Sequence, residues 1–185
     1  LTGYLSPKYL RMFWETQSDT HNVLVSSSMR RNRFFEIQQY MNLADNTKHS
    51  PSDKKFYKVR EYFTILDGNF RSNFELLATS HVSIDETMIP YYGKHSSKQH
   101  IHGKPIKFGY KLWSAATTSG YLITFEPYQG SINSKLPHQE ELGLGAAVVL
   151  ELHSRLPKFL GPYNLYFDRF FSSLKLMNAL NKQKT

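Results

Sequence analysis

Two hydrophobic periods divide this chain, and they meet near residue 80. Upstream, apolar residues recur every three or four positions. After the serine run Ser26–Ser28, the residues Phe34, Ile37 and Met41 keep helical spacing, with Ser28 as the expected N-cap. The polar stretch ADNTKHSPSDKK, from Ala44 to Lys55, reads as a loop broken by Pro51. A longer helix is predicted next, because Val59, Phe63, Leu66, Phe70, Phe74 and Leu77 form one apolar stripe. Gly68 lies inside it, where glycine costs about 1 kcal/mol relative to alanine, and is a candidate bend. A stripe of this kind is the core face of a helix.

From His81 the pattern becomes strand-like. HVSIDETMI has the β-branched content of a buried strand. GYKLWSAATTSGYLITFEPYQG predicts two strands joined by a turn at Thr118, Ser119 and Gly120, with Tyr121, Ile123 and Phe125 alternating on one face. Leu144, Val148, Leu152 and Leu156 then recur at steps of four, closed by Pro157, which predicts a helix. GPYNLYFD follows as a strand with Asn164, Tyr166 and Asp168 on one side and Tyr163, Leu165 and Phe167 on the other. SSLKLMNALNKQ is a final helix capped by Ser172 or Ser173. The expected class is therefore α/β, with strands and helices in the order βββαβα behind an all-helical region. The domain expectation is a helical region over 1–80 packed on a core over 81–185, as two lobes of one unit.

Composition sharpens this only in places. The chain has 185 residues, 40% hydrophobic and 15% aromatic, which is a folding composition. A formal charge of +8 and a pI near 9.5 favour polyanionic partners, nucleic acid first. The absence of cysteine excludes disulfides and thiolate zinc sites within these residues. No apolar run has the length of a membrane span, and no signal-peptide pattern opens the chain. Because it begins at Leu1 and not at methionine, a piece of a longer protein is expected.

The candidate chemistry sits in VSIDETMIPYYGKHSSKQHIHGKPIKFGYK, Val82 to Lys111. A strand carrying Asp85 and Glu86 runs into a basic segment holding Lys94, Lys98, Lys104, Lys107 and Lys111 and no acid. A strand returning after a helix usually lies parallel to a neighbour. If the strand at 163–168 pairs beside the strand at 82–89, Asp85 and Asp168 point into one cleft. Two carboxylates that close repel unless a cation sits between them. A divalent ion of the Mg²⁺ type takes one or two carboxylates together with phosphate and water. An aspartate at a strand's end also serves as an ordinary cap, and spacing alone leaves both readings open. The five lysines would supply salt-sensitive phosphate contacts, while each singly is also an ordinary solvated charge. Tyr91, Tyr92 and Phe108 are candidates for base stacking or for core packing. His100 and His102 lack the further ligands of a zinc site, and GLGAAV at Gly143 lacks the third glycine of a dinucleotide loop.

The strings SIDETMIPYYGKHSSKQHIHGKPIKFGYKLW and YFDRFFSS, with SSSMRRNRFFEIQQYMNLADN and DKKFYKVREYFTIL upstream, resemble the piggyBac transposase family and its domesticated derivatives. The similarity spans nearly the whole chain. It implies an RNase H-like catalytic core, cut-and-paste DNA transposition with insertion at TTAA, and a nuclear location. It also implies a two-metal site for Mg²⁺ or Mn²⁺ held by three aspartates. Asp85 and Asp168 match the first and second; the third lies downstream of Thr185, so the site is incomplete here and this stretch alone is expected to be inactive. Glu86 becomes a supporting residue or a salt-bridge partner of the lysines. Arg169 stands where the family often has asparagine, and its guanidinium would modulate cation binding. The cysteine-rich zinc domain of the family is absent. The implied partners are transposon-end DNA and, in the full-length protein, a second copy. The alternative is a domesticated, non-catalytic remnant that binds DNA or protein.

Overall fold

The computed structural model describes residues 7–48, 55–74, 79–103, 105–130 and 136–182. Pro51, Leu77 and Lys104 lie outside the described residues. The chain forms two compact units, Leu1–Leu43 and Ala44–Thr185.

In the first unit a 3₁₀ turn, Leu10–Trp14, precedes helices α1 (Val23–Ser28) and α2 (Arg31–Tyr40). The Asn22 side chain caps α1 by accepting the Val25 N–H at 3.1 Å. Ser28 is therefore not the cap expected from the sequence. It is the last residue of α1, its hydroxyl donates to the Leu24 carbonyl, and α2 starts after Arg30 with no side-chain cap. Trp14 organises this unit. Its ring lies 5.3 Å from Phe34 and 6.1 Å from Phe35, and its indole N–H donates to the Met29 carbonyl at 2.8 Å.

The second unit is built on one mixed sheet. Helix α3 (Tyr57–Phe74) runs through Gly68 without a break. Strands β1 (His81–Pro90), β2 (Gln99–His100), β3 (Phe108–Thr117) and β4 (Leu122–Pro127) follow, then helices α4 (Gln139–Leu142) and α5 (Leu144–Ser154), strand β5 (Asn164–Phe167) and helix α6 (Leu174–Lys182). β3 pairs antiparallel with β1, β2 and β4, and β1 pairs in parallel with β5. The β3–β4 hairpin turns through Gly120 at φ 86°, a conformation glycine adopts without steric cost. The sequence pattern did not resolve the two-residue β2. Nor did it break the predicted long helix, which is interrupted at Gly143 (φ 87°) to give α4 and α5.

Val148, Val149 and Leu152 of α5 form the core with Ile84 of β1, Trp113 and Ala115 of β3, and Ile123 of β4. α5 is apolar nearly all round because it is buried there, and Phe171 and Leu176 close the layer. α3 belongs to this unit, although its helical period had grouped it with the region upstream of residue 80. Phe63 lies 5.3 Å from Phe125, and Asp67 accepts from the Thr124 hydroxyl at 2.6 Å. Helical period identifies a helix but does not say which layer it joins.

Edge strand β4 is tied to both helices through Glu126. One carboxylate oxygen meets Arg60 of α3 at 3.2 Å, and the other meets Arg155, just beyond α5, at 2.9 Å. Arg155 also contacts Glu151 at 2.7 Å. Burial works against the Arg155 charge, but hydrogen bonds to Glu126 and Glu151 outweigh it and hold its pKa above the ordinary arginine value. Glu126→Ala removes the carboxylate that meets Arg60 and leaves Arg155 held by Glu151. The expected cost is about 2 kcal/mol, below that of a fully buried pair because both arginines keep some water contact, read as a lower urea midpoint at unchanged slope.

Candidate functional site

The parallel pairing of β1 and β5 ends beside the two aspartates. Its register sets Val82 against Leu165, Ser83 against Tyr166 and Ile84 against Phe167. Asp85 and Asp168 are the residues that follow this register, Asp85 within β1 and Asp168 just beyond the end of β5. Paired residues of neighbouring strands project to the same face. Along β1, Val82 and Ile84 are buried while His81, Ser83 and Asp85 are exposed. Asp85 therefore lies on the side of β1 away from Ile84, and Asp168 is exposed in the turn beyond β5. The strand expected to be buried is buried on one side only.

Each carboxylate is oriented by local backbone. The Glu86 N–H donates to Asp85 Oδ1 at 2.7 Å. The Phe170 N–H donates to Asp168 Oδ1 at 2.9 Å, and the Asp168 carbonyl accepts from the Phe171 N–H and the Ser172 hydroxyl. Asp168 thus makes the turn that a strand-end aspartate makes, and that turn also fixes the direction of its carboxylate. Ser173 caps α6 by accepting the Leu176 N–H at 3.1 Å. On the same face, β3 contributes Ser114, whose hydroxyl lies 2.7 Å from that of Thr87 and 3.0 Å from the Asp85 carbonyl. These contacts join β1 to β3 beside the aspartate.

The remaining candidates are dispersed. Glu86 is paired with Trp113, on the core side of β1 and opposite Asp85. Lys111 shares that side, with its ammonium 3.8 Å from the Trp113 ring centroid and 5.6 Å from that of Phe170. An ammonium held over an indole at that distance makes a strong cation–π contact. Lys111 is therefore not part of the Asp85 face, contrary to a single basic wall around the aspartates. Lys94 and Lys98 lie in the β1–β2 connection, and Lys107 is exposed just before β3. Arg169 is exposed in the turn after Asp168. Among the described residues, no group of three or more histidines, cysteines and acids is arranged to hold a metal ion. The two carboxylates fit a divalent ion as a partial ligand set, since such an ion fills its shell from water and phosphate as well.

Sequence reasoning missed the pair His81–Tyr166 on the same open face. The imidazole Nδ1 and the phenol oxygen are 2.9 Å apart and the rings are stacked. Their strand alternation was a usable signal, but their partnership needed the register.

The unit is a mixed α/β core whose neighbouring strands β1 and β5 run parallel. The solved piggyBac transposase synaptic complex with hairpin DNA has the same fold, with a TM-score of 0.70 at 22% identity over 86% of this chain and 32% of that one. The family model described as Transposase IS4 matches residues 1–185, and the chain belongs to that family, among its piggyBac-type members. It is 44% identical over 182 residues to human PiggyBac transposable element-derived protein 3. It is 40% identical over 185 residues to human PiggyBac transposable element-derived protein 2. These alignments cover 98% and 99% of the chain, which spans 30% of the length of each relative.

The turn carrying Asp168 rests on α5 at Gly145. A β-carbon there would lie 2.5 Å from the Phe170 carbonyl oxygen and 3.0 Å from the Phe171 Cα, both backbone atoms. Gly145→Ala is expected to push the turn outward and cost about 1–3 kcal/mol, with amide exchange of Phe170 and Phe171 accelerated more than that of β3.

Proposed function

We propose that this chain is the first part of a DDE/D-type transposase core with an RNase H-like fold, acting on DNA phosphodiesters. Asp85 and Asp168 are two of its metal-holding carboxylates. The observation that supports this best is the parallel β1–β5 register, which ends at Ile84 and Phe167, one residue before Asp85 and Asp168. A Mg²⁺ or Mn²⁺ ion bound there supplies charge neutralisation at the scissile phosphate and activation of the attacking oxygen. The protein's own contribution is placement. A carboxylate on a strand, with one oxygen already engaged by a backbone N–H, keeps its other oxygen in a fixed direction. Both aspartates have that arrangement on Oδ1.

The third carboxylate of such a site comes from the part of the protein that the relatives carry beyond this stretch. Arg169 sets the electrostatic level of the cleft. Its positive charge, next in sequence to Asp168, opposes entry of a cation. Lys94, Lys98 and Lys107 provide backbone contacts to transposon-end DNA, and TTAA insertion, a paired assembly of two copies and a nuclear location follow from the same reading. No helix among the described residues is long and apolar enough to cross a membrane.

In a protein carrying this chain with the rest of its relatives' length, nicking of transposon-end DNA is expected to require Mg²⁺ or Mn²⁺. Asp85→Asn and Asp168→Asn each abolish nicking and leave DNA binding intact. Unaltered nicking by either variant removes that aspartate from the site. Binding without nicking by the unmutated protein would identify the non-catalytic remnant instead.

Lys107→Ala is expected to lower the slope of log K against log salt by about 0.9, one phosphate contact on duplex DNA. A titration series in NaCl reads it directly. Lys111→Ala, by contrast, is expected to show its main effect in thermal stability, since its ammonium sits on Trp113.

A further inference from the structure

The β1–β2 connection folds over the start of β3 and leaves a pocket of about 410 Å³. Lys94, His95, Lys98, His100 and Phe108 line it, together with Gly93 and Gln99, and among the described residues no carboxylate does. Its volume lies in the range of small-ligand pockets, about 300–1,000 Å³. We propose that this pocket receives an unpaired nucleotide of a DNA strand, with the base on the Phe108–His100 wall and the phosphate at Lys94 and Lys98. This rests on the reading of the chain as a DNA-processing core and adds to it a preference for single strands.

The fold sorts the three aromatic residues that the sequence left equivalent. Tyr91 is used internally, its ring 4.8 Å from that of Tyr110, a contact to which burial of the Tyr110 phenol adds a raised pKa. Tyr92 is 86% exposed and lies outside the pocket lining. Phe108 lines the pocket while remaining 46% exposed, so its ring is reachable from solvent. The His100 ring is stacked on it at 4.5 Å and 28°, giving a layered π surface with an exposed outer ring.

The cations are held where a phosphate would lie. Lys98 Nζ is 5.4 Å from the Phe108 centroid and donates to the carbonyls of Gly93 at 3.1 Å and Tyr92 at 3.4 Å. An ammonium has three donors, so one is left for an incoming acceptor. Lys94 is exposed on the same wall. Stacking on an aromatic platform is indifferent to base identity but requires a base outside its own stack. A duplex offers this pocket phosphates only, whereas a single strand offers phosphate and base face together.

The test compares Phe108→Leu with the unmutated chain by fluorescence anisotropy, using labelled oligo-dT and a fully paired duplex of equal length. Phe108→Leu keeps apolar bulk and removes the π face. Expected is a loss of about 5- to 100-fold in affinity for oligo-dT, with duplex affinity within about twofold and recovery in Phe108→Tyr. Equal losses on both probes, or undiminished oligo-dT binding while duplex binding persists, overturn the pocket assignment and leave the DNA reading standing. Failure of the unmutated chain to bind either probe at low salt overturns the DNA reading and the pocket with it. Circular dichroism of the Leu and Tyr variants separates misfolding from loss of stacking, because a misfolded variant loses both probes and its native spectrum.

Discussion

The parallel pairing of β1 with β5 is the constraint on which the second unit depends. It joins segments separated by the β2–β4 meander and by α4 and α5, so it can form only when that intervening chain folds back over the sheet. α5 makes the return possible because its apolar surface fills the space between the crossover and the strands. Ala146, Ala147 and Gly145 keep that layer thin enough for the turn after β5 to come down on the helix. The orientation of Asp168 is thus a consequence of helix packing as well as of its own hydrogen bonds.

Charge in this molecule is partitioned by strand parity. Asp85 and Glu86 are adjacent in sequence yet stand on opposite faces, and the same alternation takes Lys111 to the face of Trp113. The basic run consequently serves separate purposes. One lysine is absorbed by aromatic rings, two border a pocket with histidines, and one projects from the start of β3. The acid–base cluster of Arg60, Glu126, Arg155 and Glu151 has a different role again, binding an otherwise unprotected edge strand to the helices beside it.

Asp85 and Asp168 are both exposed, Asp85 on β1 and Asp168 in the turn after β5. The neighbouring His81–Tyr166 pair adds polar aromatic surface. Breadth of surface, not depth, is what this part of the protein presents.

The sequence by itself determined the kinds of element, because helical and strand periods are local properties written into side-chain spacing. The stripe of α3, the alternation of β1, the Gly120 turn and the serine cap before α6 were all legible this way, and the quoted motifs made the family legible too. Tertiary structure alone decided which helices cover which strands, the break at Gly143, the placement of α3 with the sheet, and the separation of Lys111 from Asp85. Those outcomes follow from register and from competition for buried surface among segments far apart in the chain, which no local spacing encodes. Alternation could place Asp85 on a face of its own strand; only the pairing of β1 with β5 brought the chain around Asp168 beside it.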